Sequence, residues 1–197
     1  MKHKKVWLIR HGESEANAGA RTSDPAQVRL TPLGHKQVKE LACNLKIPPE
    51  LIVTSKYIRT VETAKPTRDK HPHIPCEEWQ IHEFTYLAQP KCKNTTGLER
   101  MDMVKGYWEA CDPTYCDGEG AESFVSFVER IRSTIRKLKS RKEKRIALFS
   151  HEQFLRGLLW MIDKNYETIS NKEMREYKRL FEAQRIPNCG VVEIELS

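Results

Sequence analysis

An apolar run at residues 6–9 is the feature that most constrains how this chain folds. It begins and ends with β-branched residues and is too short for a surface helix, so it predicts a strand buried on both faces of a parallel sheet. Directly after it come Arg10, His11 and Gly12. Ligands of open α/β sheets bind at the carboxyl ends of the strands, so this edge is a candidate site.

The chemistry of Arg10 and His11 fits a phosphate group. An arginine presents a planar fork that matches phosphate oxygens, and a histidine can act as a nucleophile near neutral pH. Three residues alone form a weak motif, because an arginine and a histidine after a strand more often belong to a solvated loop. The interpretation therefore depends on which side chains follow the other strands.

A second buried strand is predicted at residues 51–55, and a helix that contains Arg59 follows it at once. Ser55 is placed to cap that helix, which would put Arg59 in the first turn. A helix N-terminus already attracts anions, and an arginine there would strengthen a phosphate site. A surface ion pair between Arg59 and Glu62 is the alternative, and this segment alone favours it.

A third buried strand is predicted at residues 145–149, and it ends in Ser150 and His151 before a helix at residues 154–161. A second histidine therefore leaves a strand at the same relative position as His11. A single histidine at a strand end is usually structural, but the repetition indicates a shared site.

The other periodic segments give further helices and two sheet edges. A helix capped by Thr31 and ended by the prolines at 48–49 has an apolar face that we expect to contain Leu33, Val38, Leu41 and Leu45. Two more helices are predicted at residues 121–139 and 170–184, the latter with Met174, Tyr177, Leu180 and Phe181 inward. Residues 74–79 and 191–196 are expected at the edges of the sheet, the former because of Pro75.

Between residues 80 and 120 the periodicity fades, and aromatic residues alternate with basic ones. Such interleaving can bind single-stranded nucleic acid. Long irregular segments in compact domains are often lids, so we expect a folded insertion that lies over the sheet edge. The predicted organisation is one domain over residues 1–197, with residues 80–120 as a lid insertion.

The net charge calls for an anionic partner but does not identify one. Lysine and arginine number 34 against 27 acidic residues, an excess of seven. Nucleic acid, an acidic membrane or a small anionic substrate could each account for it. The basic residues are spread over predicted helix faces, so we expect neither nucleic acid nor membrane as partner.

The chain also lacks the patterns of secretion and of metal binding. Only four apolar residues follow the basic N-terminus, which is too few for a signal peptide, and no run approaches a transmembrane length. The six cysteines have no zinc-ligand spacing. We expect a cytoplasmic protein with reduced cysteines, no metal and no cofactor.

Four ordered blocks together resemble the histidine phosphatase superfamily, in its phosphoglycerate mutase-like branch. The resemblance covers nearly the whole chain, and its blocks are Arg-His-Gly-Glu-Ser-Glu-Ala-Asn at 10–17, Leu-Thr-Pro-Leu-Gly-His-Lys-Gln at 30–37, Ser-Lys-Tyr-Ile-Arg-Thr-Val-Glu-Thr-Ala at 55–64 and Ser-His followed by Phe-Leu-Arg within 150–156. It implies a three-layer α/β/α sandwich on a mainly parallel sheet.

The resemblance also implies roles for individual side chains. His11 would be the nucleophile, with Arg10, Arg59 and His151 as the phosphate clamp and Asn17 as an added donor. The family's general acid follows the third strand in chain order, here the edge strand expected at residues 74–79, and Glu83 occupies that place. Its alternatives are Glu77, Glu78 and Glu99, each of which reads more simply as a surface charge.

Two residues depart from the family pattern. Thr60 stands where alanine is usual, and Glu152 follows His151 where glycine is common. The second change is expected to place a carboxylate beside the phosphate, so Glu152 is counted among the substrate-binding candidates.

The reaction that the resemblance implies is hydrolysis of a phosphomonoester, a small phosphorylated metabolite, through a phosphohistidine. Two guanidiniums and a protonated imidazole would hold the phosphoryl oxygens, and no metal would be needed. A cofactor-dependent mutase uses the same residues but usually has a longer lid. A phosphoprotein phosphatase would favour a more open site, and a catalytically dead phosphate-binding scaffold would typically have lost one of the site residues.

Overall fold

In the part of the chain that the structure describes, five strands form one mainly parallel sheet with helices on both of its faces. The computed structural model describes residues 3–196. The elements are β1 (Lys4–Arg10), α1 (Pro32–Asn44), β2 (Leu51–Thr54), α2 (Ile58–Lys70), β3 (Cys76–Glu78), α3 (Gln89–Cys92), α4 (Met101–Ala110), α5 (Phe124–Ser140), β4 (Arg145–Ser150), α6 (Glu152–Lys164), α7 (Asn171–Ala183) and β5 (Val191–Leu196). The strand order is β3-β2-β4-β1-β5, with only β5 antiparallel to its neighbour.

The period of two along each strand separates the core into two layers. Val6 and Leu8 of β1 belong to the same apolar cluster as α5, α6 and α7. Trp7 and Ile9, which point to the opposite face, pack with residues of α1 and α2. The three-layer α/β/α sandwich is therefore confirmed, and it leaves the carboxyl ends of β1, β2 and β4 at one edge.

The predicted helices are present, but two inward-facing assignments are wrong. Leu33 is 50% exposed and Leu180 is 36% exposed. Thr31 does cap α1, since its side chain accepts a hydrogen bond from the Gly34 amide at 3.0 Å. Both edge strands, β3 and β5, lie where the sequence analysis expected them.

Residues 80–120 are more regular than the sequence pattern indicates. They contain the short helix α3 and the ten-residue helix α4. Two adjacent aromatic residues of α4, Tyr107 and Trp108, are buried against Phe84. Adjacent buried residues do not produce a helical period, and Gly106 lowers the helix propensity, so the pattern did not reveal α4.

Gly34 of α1 makes the tightest backbone approach near the sheet edge. A Cβ at this position would lie 2.1 Å from the carbonyl oxygen of Glu13. We expect Gly34→Ala to lower the free energy of unfolding by about 1–3 kcal/mol, the cost of overpacking, because the obstructing atom belongs to the backbone.

The matched control is Gly106→Ala in α4, where an added Cβ meets nothing within 4 Å. Alanine there should be neutral or stabilising by up to about 1 kcal/mol through helix propensity. Urea unfolding of both variants measures the difference, and equal stabilities would contradict the close contact at Gly34.

Candidate active site

The three strand ends bring together the side chains that the sequence singled out. Arg10 and Ser150 are the last residues of β1 and β4 and pair in register, so His11 and His151 leave the sheet side by side. Their ring centroids are 5.2 Å apart. Arg59, the second residue of α2, donates a hydrogen bond to His11, and its charge acts on His151.

His11 is held in a single orientation that leaves Nε2 facing the site. Its Nδ1 lies 2.7 Å from the carbonyl oxygen of Gly12, which can only accept, so Nδ1 carries the proton. Nε2 accepts a hydrogen bond from Nε of Arg59 at 3.2 Å. Burial, and after it the charge of Arg59, holds the pKa of His11 well below its ordinary value. The ring is therefore neutral near neutral pH, with the lone pair on Nε2.

Arg59 is a buried site residue, and the surface ion pair with Glu62 is wrong. Glu62 pairs instead with Arg29, at 2.8 Å. Arg59 is 7% exposed, donates through Nη1 to the carbonyl of Pro25 at 2.6 Å, and lies over the ring of Tyr57. Burial lowers its pKa to about 10, so the guanidinium remains charged near neutral pH.

His151 is fully buried and is oriented by Ser55. The Oγ atom of Ser55 lies 2.8 Å from Nε2 of His151, while Nδ1 is buried with no hydrogen-bond partner in residues 3–196. Burial, followed by the charge of Arg59, holds the pKa of His151 well below its ordinary value. The expected protonated imidazole is therefore replaced by a neutral ring that can donate from Nδ1 when Ser55 donates to Nε2.

The expected capping role of Ser55 is wrong. The α2 helix begins two residues later than that role requires, with Tyr57 at its N-cap and no side-chain cap. Ser55 accepts from the Tyr57 amide and contacts Thr60 as well as His151. Sequence reasoning missed this function because a serine before a helix suggests a cap first.

Glu152 does not line the pocket as the sequence analysis expected. Its carboxylate is buried and pairs with Arg10, at 2.9 Å, and with Arg185. Helix α6 begins at Glu152, and this start directs the side chain toward the loop between α7 and β5. Glu152 therefore contacts Arg10 of the proposed phosphate clamp without lining the cleft.

Glu83 sits over the N-terminus of α6. Its Oε1 accepts hydrogen bonds from the backbone amides of Phe84, Gln153 and Phe154, at 3.1, 3.1 and 3.3 Å. Burial raises the pKa of Glu83 above its ordinary value, against the opposing effect of these amides and Arg59. A carboxyl with a raised pKa beside Arg59 has the properties of a general acid.

The three alternative carboxylates lie elsewhere. Glu77 accepts from Trp79 and pairs with Arg141, and Glu99 pairs with Arg21. Glu78 is exposed on the edge strand β3. The structure places only Glu83 of these four beside Arg59 and the α6 N-terminus.

Asn17 is exposed at the rim of the site and is fixed by a residue that the sequence analysis missed. Its Oδ1 accepts from Ser14 and, at 3.1 Å, from Nδ2 of Asn188. The same Asn188 amide also lies 3.0 Å from the carbonyl of His11. No local motif marks Asn188, which is distant in sequence from both partners.

A cleft of about 210 Å³ opens beside Arg59 and Glu83. One wall comes from residues 22–25 and the other from residues 83–104, and the cleft is lined by Arg59, Glu83, Tyr86, Leu87, Arg100 and Val104 among others. The two walls are joined by paired backbone hydrogen bonds between Thr22 and Thr95.

Residues 3–196 contain neither a metal-binding cluster nor a membrane-spanning helix. No group of three or more histidine, cysteine or acidic side chains in this range could hold a metal ion. None of its helices is both long enough and apolar enough to cross a membrane.

Comparisons with known proteins agree with this geometry. An adenosylcobalamin/alpha-ribazole phosphatase of Salmonella typhi is 31% identical over 141 residues, which are 66% of each chain. The human 6-phosphofructo-2-kinase/fructose-2,6-bisphosphatase 4 is 27% identical over 172 residues, which span 83% of this chain but only 34% of that protein.

Solved structures share the fold at lower sequence identity. A putative alpha-ribazole-5′-P phosphatase from Escherichia coli matches with a TM-score of 0.76 and 21% identity, covering 98% of this chain and 91% of its own. A mycobacterial glucosyl-3-phosphoglycerate phosphatase matches with a TM-score of 0.73 and 19% identity, covering 98% and 90%. The sequence model of one protein family, the histidine phosphatase superfamily (branch 1), matches residues 6–195 of this chain. The chain belongs to the histidine phosphatase superfamily.

Proposed function

We propose that this protein hydrolyses phosphomonoesters of small metabolites through a phosphohistidine on His11. The observation that carries the proposal is the fixed tautomer of His11, whose Nε2 lone pair faces Arg59. Buried nitrogens of Arg10 and His151 beside it have no partner in the described part of the chain. An attacking lone pair surrounded by hydrogen-bond donors suits a phosphoryl group.

In the first step, Nε2 of His11 attacks phosphorus while the bond to the ester oxygen breaks. The carboxyl proton of Glu83 passes to the departing alkoxide, so an alcohol leaves and Glu83 becomes a carboxylate. In the second step, Glu83 removes a proton from water as the water oxygen attacks phosphorus. The phosphorus–nitrogen bond breaks, inorganic phosphate is released, and His11 returns to its neutral form.

Arg10, Arg59 and His151 would stabilise the charge on the three transferred oxygens during both steps, with Asn17 as a further donor. Their contribution is electrostatic and requires no metal. Arg59 donates to Nε2 of His11 in the free protein, so this N–H would pass to a phosphoryl oxygen as substrate binds and leave the Nε2 lone pair free to attack.

The cleft favours a small substrate. A volume of about 210 Å³ between two joined walls fits a metabolite better than a folded phosphoprotein. We propose that residues 80–120 act as a lid over the site within one domain, since they supply one of these walls. The relatives named for alpha-ribazole and glucosyl-3-phosphoglycerate phosphatases support this class of substrate.

A cytoplasmic location stays a proposal. It is supported by the six cysteines, which are all free thiols in the structure, as is usual in a reducing compartment.

A screen of phosphorylated metabolites tests the proposed function. Release of inorganic phosphate from one or more of them, without a bisphosphorylated cofactor, is the expected result. Transfer of phosphate within the substrate only in the presence of such a cofactor would support a mutase. Binding of phosphate esters without any turnover would support the scaffold.

Arg59→Ala should lower kcat/KM by about 10²–10³, the scale for loss of one preorganised charge stabiliser. The control is Arg29→Ala, which removes an exposed arginine that pairs with Glu62 of α2 and should leave the rate unchanged. Treatment with EDTA should have no effect on the wild-type rate. Loss of activity in EDTA that a divalent metal restores would contradict this chemistry.

A further inference from the structure

Glu152 is a buried carboxylate that the proposed reaction does not use. It is 3% exposed, lies at the first position of α6, and contacts Arg10 rather than the cleft. A buried carboxylate costs free energy unless charged or hydrogen-bonded partners surround it. Its partners therefore indicate what it does.

The guanidinium of Arg10 is held through its Nη1 atom. The Nη1 atom donates to the carbonyl oxygen of Ile186 at 2.6 Å and lies 2.9 Å from Oε2 of Glu152. Within residues 3–196, neither Nε nor Nη2 makes a hydrogen bond, and Nε is buried. The edge formed by Nε and Nη2 is the side of an arginine that binds two phosphate oxygens at once.

The partners of Glu152 form a closed set of contacts. Arg185 donates to both carboxylate oxygens, with Nη2 at 2.8 Å from Oε2, and the Ile186 amide lies 3.3 Å from Oε1. The Ile186 carbonyl in turn accepts from Arg10. Two consecutive loop residues therefore fix Glu152, while one of them also fixes Arg10.

We infer that Glu152 is a positioning residue for Arg10, resting on the proposed function of Arg10 as a phosphate ligand. By occupying Nη1 together with the Ile186 carbonyl, Glu152 turns the Nε–Nη2 edge toward the phosphoryl group that His11 attacks. Arg185 balances the single negative charge of Glu152, which leaves the charge of Arg10 available to attract the anion. Glu152 itself does not contact substrate.

Glu152→Gln and Glu152→Ala test the inference. Loss of an outer partner of a site residue costs about 10–100-fold in metal sites, and we expect the same scale here. Glutamine keeps one acceptor for Nη1 and should lower kcat/KM about tenfold, whereas alanine should approach 100-fold. The inhibition constant of inorganic phosphate should rise together with KM in both variants.

The decisive measurement repeats Glu152→Gln in an Arg10→Ala background, with p-nitrophenyl phosphate as substrate. If Glu152 acts through Arg10, the second substitution has no further effect on kcat/KM. Equal effects in both backgrounds, or unchanged kinetics of the single variant, would overturn the inference. Near-normal activity of Arg10→Ala would instead contradict the proposed function itself.

Two further variants keep the test independent of folding. The side chain of Arg185 is 62% exposed, so Arg185→Ala should fold, and it should reduce kcat/KM by several-fold. Arg185→Lys keeps the positive charge and should retain most of the wild-type kcat/KM. Glu176→Gln removes a partly buried carboxylate that serves Trp160 and Tyr166, away from the site. Glu176→Gln should change the melting temperature and leave the inhibition constant of inorganic phosphate unaltered. If the melting temperature and the inhibition constant change together in this control as they do in the Glu152 variants, the role of Glu152 is purely structural.

Discussion

Replacing His11 with alanine is expected to abolish turnover. Removing the nucleophile of a covalent mechanism reduces kcat by about 10⁵–10⁶, because arginine clamps alone cannot split the displacement into two steps. Wild-type enzyme quenched during turnover of a ³²P-labelled substrate should carry a phosphoryl group that is stable in alkali and lost in acid. The variant should carry none.

His35→Ala is the matched control, because His35 is an exposed histidine of α1 near the same end of the chain. Its rate and its phosphoryl label should equal those of the wild type. A label that persists in His11→Ala and disappears in His151→Ala would transfer the nucleophile role to the second histidine.

Replacing Glu83 with glutamine is expected to affect substrates according to their leaving groups. Glutamine keeps the size but has no carboxyl proton, so hydrolysis of an alkyl phosphate should slow by about 10²–10⁴. p-Nitrophenyl phosphate releases a stable phenolate, and its phosphorylation step should suffer much less. Because the second step still needs a base for water, this substrate should give a burst of nitrophenol followed by slow turnover.

The pH dependence of kcat/KM gives an independent test of the acid role of Glu83. Its folded-state pKa is raised by burial, and the acid must be protonated in the first step. The value of kcat/KM for an alkyl phosphate should therefore fall as the pH rises through this pKa, and Glu83→Gln should lack that decline. Glu78→Gln, which alters an exposed carboxylate of β3, should behave as the wild type. Equal losses on alkyl and aryl substrates without a burst would remove Glu83 from the acid role.

The sequence predicted the sheet and most of the site because both depend on local patterns. Short apolar runs identify buried strands, and the polar residue that ends each run must lie at the carboxyl edge. Arg10, His11 and His151 follow from this rule alone. Arg59 did not, since its burial depends on the loop that supplies the Pro25 carbonyl.

The parts that the sequence did not predict depend on contacts between distant segments. Asn188 reaches the loop after β1 only because β5 pairs with β1. Glu152 looked like a substrate contact since it follows His151, and only the course of the loop after α7 shows that it faces Arg185. Helix α4 was missed for the different reason that its buried residues are adjacent rather than spaced by a helical period.

The hydrogen bonds between the end of β1 and the residues just before β5 have a consequence for when the protein becomes active during its synthesis. The Cys189 amide donates to the carbonyl oxygen of Arg10 at 3.1 Å, and the Arg10 amide donates to Gly190 at 3.1 Å. The amide of His11, the proposed nucleophile, donates to the carbonyl oxygen of Ser150, while its own carbonyl oxygen accepts from Cys189, which is made nearly 180 positions later. A fragment that stops before Arg185 contains His11, Arg59, Glu83 and His151 and should still be inactive. During translation, a nascent chain should therefore hold all of these proposed catalytic side chains without activity until residues 185–190 have left the ribosome.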